Sequence, residues 1–275
     1  MTRLQDSVAL ITGGAGAIGL ALAAACAEAG ARIAIADRDR EALRRAGATL
    51  AGRGLEALEV ELDVSDAGQW SSALGRIEDR LGPVRFLFNN AGVSALGVTV
   101  EDMTTDYWQR VVAINLTGVL LGTQAVVRNL RRLGLTGHVV NTASIAGLGL
   151  VLPGAAAYAA TKSAVVALSE VLELELRETG IGVSVLCPGP VRSELWRSSR
   201  GALQLADVSS PPEASRMGSA SPDAMDPVLV AAMVIDAVEA KRFYIATHPE
   251  FSGQIAARHE RLMVAFDQSH GPGAD

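Results

Sequence analysis

Residues 8–19 read Val-Ala-Leu-Ile-Thr-Gly-Gly-Ala-Gly-Ala-Ile-Gly, an apolar run that leads into a turn rich in glycine. An apolar segment with the period of a helix follows over residues 17–29, so the order is strand, turn, helix. In such a unit, backbone N–H groups and the positive end of the helix dipole can bind a pyrophosphate, and small residues let chain and ligand approach closely. The stretch predicts a nucleotide-binding turn, with a tight structural turn as the alternative.

The same alternation of short apolar runs and longer helical segments continues along the chain. Strands are predicted at residues 8–12, 32–36, 58–62, 84–88, 138–142, 182–187 and 243–247. Helices are predicted at residues 17–29, 40–50, 67–81, 105–133, 156–179 and 227–240. The strand runs are apolar nearly throughout, as expected where helices cover both faces of a sheet. The pattern predicts an α/β fold: a Rossmann-type, doubly wound parallel sheet of about seven strands in a three-layer α/β/α arrangement.

No internal repeat and no break in composition divides the chain, so residues 1–275 are expected to form a single domain. Residues 188–226 differ from the rest because they are rich in Ser, Pro and Gly. Loops of more than about 12–15 residues in a compact domain are usually functional or disordered. We interpret this segment as a substrate-binding flap, and residues 254–275 as a C-terminal tail with a short amphipathic helix. The apolar residues of the flap are Leu195, Trp196, Leu203 and Met217.

The composition argues against several classes of function. The net charge is −6 and the Lys and Arg residues are scattered, which leaves no electrostatic footprint for nucleic acid or an anionic membrane. Cys26 and Cys187 lie far apart and lack the spacing of a zinc site, so no metal is expected. No secretion signal and no apolar run of about 18 residues is recognised. We expect a cytoplasmic protein that acts on a small-molecule substrate.

An acidic residue, Asp37, follows the second predicted strand, 18 residues past Gly19. An acid at this position accepts hydrogen bonds from the adenosine ribose hydroxyls and repels a 2′-phosphate. Asp37 therefore favours NAD over NADP, although the neighbouring Arg38 offers a partner for that phosphate. The alternative role, capping the next helix, fits Asp39 better because the helix is predicted to begin just after it.

Further short motifs follow along the chain, beside predicted strands or within predicted helices. They are Asp63-Val64, Asn89-Asn90-Ala91-Gly92, Asn115, Ser144, Tyr158-Ala159-Ala160-Thr161-Lys162, and Pro188-Gly189-Pro190-Val191-Arg192-Ser193. Together with the turn at residues 12–19, they resemble the motifs of the short-chain dehydrogenase/reductase family over nearly the whole chain. Two positions depart from the family pattern: Ala17 replaces the middle glycine of the turn, and Ser193 replaces a threonine.

The resemblance implies a set of coenzyme contacts. The glycine turn would bind the pyrophosphate, the Asp63-Val64 pair the adenine, and the turn at residues 188–193 the nicotinamide. The residues so assigned are Gly13, Gly16, Ala17, Ile18, Gly19, Asp37, Arg38, Asp63, Val64, Asn90, Ala91, Gly92, Tyr158, Lys162, Pro188, Gly189, Val191 and Ser193. NAD is the expected cofactor, with NADP as the alternative.

The candidate catalytic residues are Asn115, Ser144, Tyr158 and Lys162. Tyr158 and Lys162 are four residues apart, so on one helix they project from the same face. A free phenol has a pKa of about 10, and a nearby ammonium with a positive nicotinamide ring is expected to lower it until Tyr158 can exchange a proton with the substrate. Ser144 would stabilise charge on the substrate oxygen. The resemblance further implies that Lys162 holds the nicotinamide ribose and that Asn115 positions a water.

These residues predict an oxidoreductase that interconverts a secondary alcohol and a ketone. Residues 180–185 and 243–250 are similar to dehydrogenases of bulky aryl or alicyclic alcohols. One alternative is an NADP-dependent 3-oxoacyl reductase, and another is a non-catalytic nicotinamide-binding redox sensor, although such sensors typically lack the tyrosine or the lysine. The substrate is expected to contact Ser144, Val93, Leu152, Leu195 and Trp196, in a pocket to which Leu148 would also contribute.

Two helical segments, residues 105–133 and 156–179, carry more hydrophobic residues than one face of a sheet can cover. The resemblance implies that they pair across a two-fold axis, so a homodimer or homotetramer is expected. The histidines form no motif and are interpreted as structural. They are His138 and His248, beside predicted strands, and His259 and His270, in the tail.

Overall fold

A parallel sheet forms the centre of the computed structural model, which describes residues 4–203 and 223–268. Its strands are β1 (Val8–Thr12), β2 (Arg32–Asp37), β3 (Ala57–Glu61), β4 (Val84–Asn89), β5 (Gly137–Thr142), β6 (Ile181–Cys187) and β7 (Tyr244–Ala246). All seven are parallel and lie in the order β3-β2-β1-β4-β5-β6-β7. The doubly wound Rossmann-type sheet predicted from the sequence is confirmed.

Helices cover both faces of this sheet. They are α1 (Ala17–Glu28), α2 (Arg40–Ala51), α3 (Ala67–Leu81), α4 (Thr105–Val112), α5 (Gly118–Leu133), α6 (Ala156–Leu176), α7 (Leu195–Leu203), α8 (Pro227–Glu239) and α9 (Ser252–Gln268). A π turn, Ala113–Thr117, joins α4 to α5, and 3₁₀ turns lie at Ile145–Leu148 and Pro249–Phe251. Side-chain oxygens accept hydrogen bonds from the first-turn N–H groups of several helices, which fixes where these helices begin. The capping residues are Asp39, Asp66, Thr104 and Asp226.

Two apolar layers hold the sheet in place. Successive side chains of a strand point to opposite faces. On β4, Phe86 and Phe88 pack with residues of α1 and α8, whereas Leu87 packs with residues of α3, α5 and α6. Burying one such side chain stabilises the fold by about 1.5–3 kcal/mol. The two layers therefore fix the strand ends from which the site is built.

Two predicted elements differ in the structure. The helix predicted over residues 105–133 contains the π turn, which inserts an extra residue that a regular period does not show. The flap predicted at residues 188–226 includes a helix, α7, where a loop was expected; its Ser199 hydroxyl accepts a hydrogen bond from Ser94 N at 2.7 Å. Met217, expected to be one of the apolar residues of the flap, and residues 269–275 of the tail lie outside the described residues.

The strand order locates the site. Connections from β1 lead outward to β2 and β3, and those from β4 lead outward in the other direction, so the order reverses between β1 and β4. In open α/β sheets, ligands bind outside the carboxyl ends of the strands at such a reversal. Thr12, Asn89 and Thr142 end β1, β4 and β5 at that edge.

The helical run Thr105–Leu133 is long and apolar enough, by length and composition alone, to cross a membrane. In this fold its side chains Val126, Val127 and Leu130 are buried against the sheet in the layer that contains Leu87. Core helices of globular proteins pass the same test of length and composition. The run is therefore assigned to the core of the sheet.

Candidate active site

The glycine turn between β1 and α1 offers both space and hydrogen-bond donors to a phosphate group. Gly13 has a φ of +62°, and a Cβ atom on it would lie 2.8 Å from backbone beyond β4. Gly16 is the N-cap of α1, and no side chain caps the first turn, which begins with Ala17 and Ile18. Gly19 is buried against the turn, where a Cβ would lie 2.1 Å from Gly13 O. The turn fits the pyrophosphate of a dinucleotide.

The segment after β4 is fixed to this turn by Thr12. The Thr12 hydroxyl accepts hydrogen bonds from Asn90 N at 3.0 Å and Ala91 N at 3.1 Å. In return, Asn90 Nδ2 donates to Thr12 O at 3.0 Å and to Gly13 O at 3.3 Å. The predicted coenzyme contacts of β1 and β4 therefore lie together. The role of Thr12 was not predicted, because its partners are nearly 80 residues away in the sequence.

Asp37 lies at the end of β2, above the glycine turn. Its carboxylate accepts hydrogen bonds from Asp39 N at 3.1 Å and Ala15 N at 3.4 Å, and burial raises its pKa. Asp39 caps α2 by accepting from Glu41 N and Ala42 N, as the sequence indicated. Arg38 is exposed and makes no ion pair within residues 4–203 and 223–268.

Asp63 and Val64 follow β3 on the same edge of the sheet. Asp63 is half-buried, and its Oδ1 accepts hydrogen bonds from Ser65 N at 2.9 Å and Ser65 Oγ at 2.6 Å. Val64 is buried against Gly118, and its carbonyl accepts from Trp70 Nε1 at 3.0 Å. The pair is thus held in a fixed loop after β3, the strand that pairs with β2.

Asn115 lies in the π turn and is fully buried. Its Oδ1 accepts from Val93 N at 2.7 Å, and its Nδ2 donates to Val93 O at 3.0 Å. A Cβ atom on Gly92 would lie 3.1 Å from Asn115 Oδ1 and 3.5 Å from Lys162 Nζ. The structure therefore brings Gly92, Asn115 and Lys162 together. The two hydrogen bonds of the Asn115 side chain fix the loop after β4.

Lys162 and Tyr158 are neighbours on one face of α6, as predicted. Lys162 is 4% exposed, and its Nζ donates to Thr142 O at 2.8 Å. Nζ lies 5.8 Å from the centre of the Tyr158 ring. Burial lowers the pKa of Lys162 to about 8, because the charged form loses solvent.

The pKa of the Tyr158 phenol depends on its surroundings. Burial raises the pKa of the phenol, and a hydrogen bond with Ser144 only partly offsets that effect. The prediction of a lowered pKa concerns the complex with a positive nicotinamide ring and stays a prediction; in the protein alone, desolvation of the phenolate sets the direction of the shift. Ser144 is buried; its Oγ accepts from Ala146 N at 3.2 Å and lies 3.5 Å from Pro188 O.

The turn after β6 closes the site on the side of Ser144. Pro188 O accepts from Ile145 N at 3.0 Å, and Gly189 N donates to His248 Nδ1 at 3.1 Å. Val191 is buried and pairs with Met225, and Ser193 is half-buried. His248, interpreted from the sequence as structural, thus contacts a predicted coenzyme segment.

The expected substrate contacts are only partly brought together. Val93 is buried in an apolar cluster with Leu203 of α7, and the Tyr158 ring packs against it. Trp196 is half-buried with the Arg197 guanidinium 5.5 Å from its ring. Leu152 and Leu195 are 52% and 37% exposed. Leu148 packs instead against a different cluster, with Val166 and Cys187.

A glycine turn that fits a pyrophosphate, at the reversal of a parallel sheet and beside a serine, a tyrosine and a buried lysine, is typical of Rossmann-type oxidoreductases that use a nicotinamide coenzyme. A family model described as "short chain dehydrogenase" matches residues 7–204. The chain therefore belongs to the short-chain dehydrogenase family and is an enzyme of that class.

Individual relatives agree with this assignment. A 3-alpha-(or 20-beta)-hydroxysteroid dehydrogenase from Mycobacterium bovis is 37% identical over 193 residues, covering 70% of this chain and 72% of the relative. A short-chain dehydrogenase/reductase from Burkholderia phymatum, solved in complex with NAD, superimposes with a TM-score of 0.88 and 32% identity, covering 100% of this chain and 99% of the other. An actinorhodin polyketide ketoreductase variant with NADPH gives a TM-score of 0.76 and 32% identity, covering 90% and 96%. The family binds nicotinamide coenzymes of both kinds.

Proposed function

We propose that the protein interconverts a secondary alcohol and a ketone, with NAD as the preferred coenzyme. The proposal rests on one arrangement at the end of β5. Ser144 lies close enough to Tyr158 to lower the pKa of the phenol, and the Lys162 nitrogen lies 5.8 Å from the centre of the Tyr158 ring. These groups are the proton donor, the oxygen-binding hydroxyl and the cation that such a reaction needs.

Alcohol oxidation removes a proton from the hydroxyl oxygen and a hydride from the carbon that bears it. The coenzyme, when bound, supplies the hydride acceptor. Tyr158 accepts the proton in oxidation and donates it in ketone reduction. Ser144 donates a hydrogen bond to the substrate oxygen and stabilises its developing charge. Lys162 holds the nicotinamide ribose and places a positive charge beside the phenol.

The role proposed for Asn115 in proton transfer is performed by the backbone of the π turn in which it lies. Its side chain is occupied on both polar atoms by Val93, so the water expected at this position would bind a backbone group of the turn. That water would connect Lys162 to solvent and allow protons to leave the buried site. The shifted hydrogen bonding of a π turn leaves backbone groups free for such a ligand.

The coenzyme preference rests on Asp37. Its carboxylate lies at the end of β2, where it would bond the ribose diol and repel a 2′-phosphate. Two backbone N–H groups already hold that carboxylate, so its position is fixed before binding. The exposed Arg38 supports the alternative, NADP, because it could turn toward a phosphate. The adenine, pyrophosphate and nicotinamide would be bound by the segments assigned above.

The substrate proposed is a bulky, hydrophobic alcohol of the aryl or alicyclic class. Val93 and Leu203 supply an apolar wall beside Tyr158, and α7 is fixed over it by the Ser94–Ser199 hydrogen bond. The name of one relative, a 3-alpha-(or 20-beta)-hydroxysteroid dehydrogenase, specifies hydroxysteroids, which are bulky and hydrophobic, and this supports the class. The alternative, an NADP-dependent 3-oxoacyl reductase, would prefer acyl thioesters and NADPH. A redox sensor without catalysis disagrees with the assignment of the chain to this family of enzymes, and Ser144, Tyr158 and Lys162 are all present.

A panel of secondary alcohols and ketones, assayed through the absorbance of the reduced nicotinamide with each coenzyme, tests the proposal. Cyclic and aryl alcohols with NAD should be turned over fastest. Faster reduction of acyl thioesters with NADPH would favour the 3-oxoacyl reductase. Tight binding of NADH without turnover of any panel member, in wild type and Tyr158→Phe alike, would favour the sensor.

A further inference from the structure

One peptide group lies between the candidate catalytic serine and a buried histidine. On one side, Pro188 O accepts from Ile145 N at 3.0 Å and lies 3.5 Å from Ser144 Oγ. On the other side, Gly189 N donates to His248 Nδ1 at 3.1 Å. The C=O and N–H of a trans peptide point in opposite directions, so this single plane connects Ser144 to His248.

The imidazole of His248 uses both of its nitrogens to hold the turn: Nδ1 contacts the Pro188–Gly189 peptide, and Nε2 contacts Pro190 O. His248 is 7% exposed, and its Nε2 lies 3.1 Å from Pro190 O, which also accepts from Met225 N at 2.9 Å. Because Nδ1 accepts from Gly189, the hydrogen-bond network assigns the proton to Nε2, which donates to Pro190. The ring thus connects the residues after β7 to the turn at residues 188–190, and Pro190 O in turn accepts a hydrogen bond from Met225 N.

The close approach of the ring depends on a glycine. A Cβ atom on Gly189 would lie 2.6 Å from His248 Cγ, so no side chain fits between the ring and the turn. Thr247 Oγ1 lies 2.6 Å from His248 Nδ1 and 3.3 Å from Gly189 N, which orients the imidazole further. The acceptor for Gly189 N is therefore built by two adjacent side chains after β7.

We propose that His248 is a positioning residue, which orients the Pro188–Gly189 peptide and, through it, Ser144 and the turn over the nicotinamide. This inference rests on the proposed function, because only a bound coenzyme and substrate give that orientation a purpose. Loss of the Nδ1 acceptor leaves a buried N–H without its main partner, and a peptide free to rotate no longer presents Pro188 O to Ile145 and Ser144.

His138 offers a matched control on the same sheet. It is 4% exposed, contacts Ser184 Oγ at 2.8 Å, and packs on Gly182, where a Cβ would lie 2.3 Å from its Nδ1. Like His248, it is a buried imidazole beside a glycine. It lies at the amino end of the sheet, away from the strand ends that carry the site. Replacing it should change stability without moving the turn.

The experiment compares His248→Leu, His248→Asn, His248→Gln and His138→Leu with wild type. Three quantities are measured for each protein. Fluorescence titration gives the Kd for NADH, steady-state kinetics give kcat on the best alcohol of the panel, and thermal unfolding without ligand gives Tm. Asparagine keeps an acceptor near the Nδ1 position, whereas glutamine keeps a donor near Nε2. We expect His248→Leu and His248→Gln to raise Kd about tenfold and lower kcat about tenfold, and His248→Asn to stay within about threefold of wild type.

The outcomes separate this inference from the proposed function. His138→Leu should lower Tm yet leave Kd and kcat unchanged; an equal loss of NADH binding in that variant would assign the effect to stability and overturn the inference. Normal Kd and kcat in His248→Leu would also overturn it. Should the leucine variant not fold, the contrast between asparagine and glutamine decides. Failure of wild type to bind either coenzyme refutes the proposed function instead.

Discussion

Burial acts in opposite directions on the two ionisable residues of the site. It raises the pKa of the Tyr158 phenol and lowers that of Lys162 to about 8, because each loses solvation of its charged form. Without coenzyme, the protein therefore favours a neutral phenol, the form that donates a proton to a ketone. Alcohol oxidation needs the phenolate, and the positive charge of a bound nicotinamide ring would help to stabilise it.

The first prediction tests Tyr158 as the proton carrier. Tyr158→Phe removes the hydroxyl and keeps the ring, so turnover should fall at least about 10²-fold, the lower end of what positioned proton transfer contributes. The Kd for NADH should stay within about threefold of wild type, because the ring packing is retained. Steady-state kinetics and fluorescence titration measure the two quantities.

Tyr107→Phe provides the control for that variant. Tyr107 is 6% exposed, and its hydroxyl has no hydrogen-bond partner within residues 4–203 and 223–268. Removing this hydroxyl should leave turnover near the wild-type value. If Tyr158→Phe keeps more than about a tenth of wild-type turnover, another group carries the proton and the assignment is wrong.

The second prediction concerns coenzyme choice. Wild type should have a higher kcat/KM with NAD than with NADP. Asp37→Ala should bring the two kcat/KM values closer together, because the repulsion of a 2′-phosphate is removed. Asp39→Ala is the control: it removes a helix cap, costs about 1 kcal/mol of stability and should leave the preference unchanged. A tenfold preference of wild type for NADP, about 1.4 kcal/mol, would contradict the role given to Asp37.

Single residues divide into those that the sequence could indicate and those that it could not. Ser144, Tyr158 and Lys162 stand in recognisable order, and the structure brings them together. The contacts of Thr12 and His248 were not predicted, since their partners lie about 78 and 59 residues away and no local spacing indicates such contacts. The raised pKa of Tyr158 was also not predicted, because the degree of burial is a property of the folded chain.

At the scale of elements, strands were the most predictable. Their apolar runs match the observed β1 to β7 with ends shifted by no more than one residue. The π turn was not predicted, because one inserted residue barely changes an apolar pattern. Helix α7 was not predicted, because its sequence, Leu195 to Leu203, is rich in Ser and Arg. The helix also makes a contact that the local sequence does not show, between Ser199 and Ser94.

The third prediction concerns β5 and its buried histidine. Burial, assisted by the positive charge of Lys241, lowers the pKa of His138 to about 4. Its ordinary value is about 6.5, so between these values the unfolded chain binds more protons than the folded protein. Stability should therefore fall as pH falls from 6.5 toward 4, by at most about 3 kcal/mol from this residue.

Urea unfolding at several pH values within this window measures the effect. In His138→Leu the loss of stability with falling pH should be smaller than in wild type, because the group that takes up the proton is absent. His259 on the exposed helix α9 is the control, and His259→Gln should follow the wild-type curve. Parallel curves for wild type and His138→Leu would show that another group dominates.

At the scale of the whole molecule, apolar side chains remain exposed on helices that pack together. On α6, Val171 and Leu174 are 53% and 58% exposed, and they share one face because they are three residues apart. On the neighbouring helical run, Trp108 and Leu120 are 39% and 37% exposed. Exposed apolar side chains that share one face of a helix, as Val171 and Leu174 do, are typical of a surface that binds another protein.

The last prediction is that two copies of the chain bury this surface, giving the homodimer, or the homotetramer built from it, that family resemblance implies. A two-fold axis would place α6 and the α4–α5 run against the same elements of a second copy, so each substitution acts twice in the interface. Sedimentation velocity at micromolar concentration should show an oligomer for wild type and a smaller species for the double variant Val171→Glu, Leu174→Glu, because buried charges would be unpaired. Val100→Glu is the control, since Val100 is 75% exposed and lies outside these helices. A wild-type monomer, or an oligomer unaffected by the double variant, would contradict an interface at this surface.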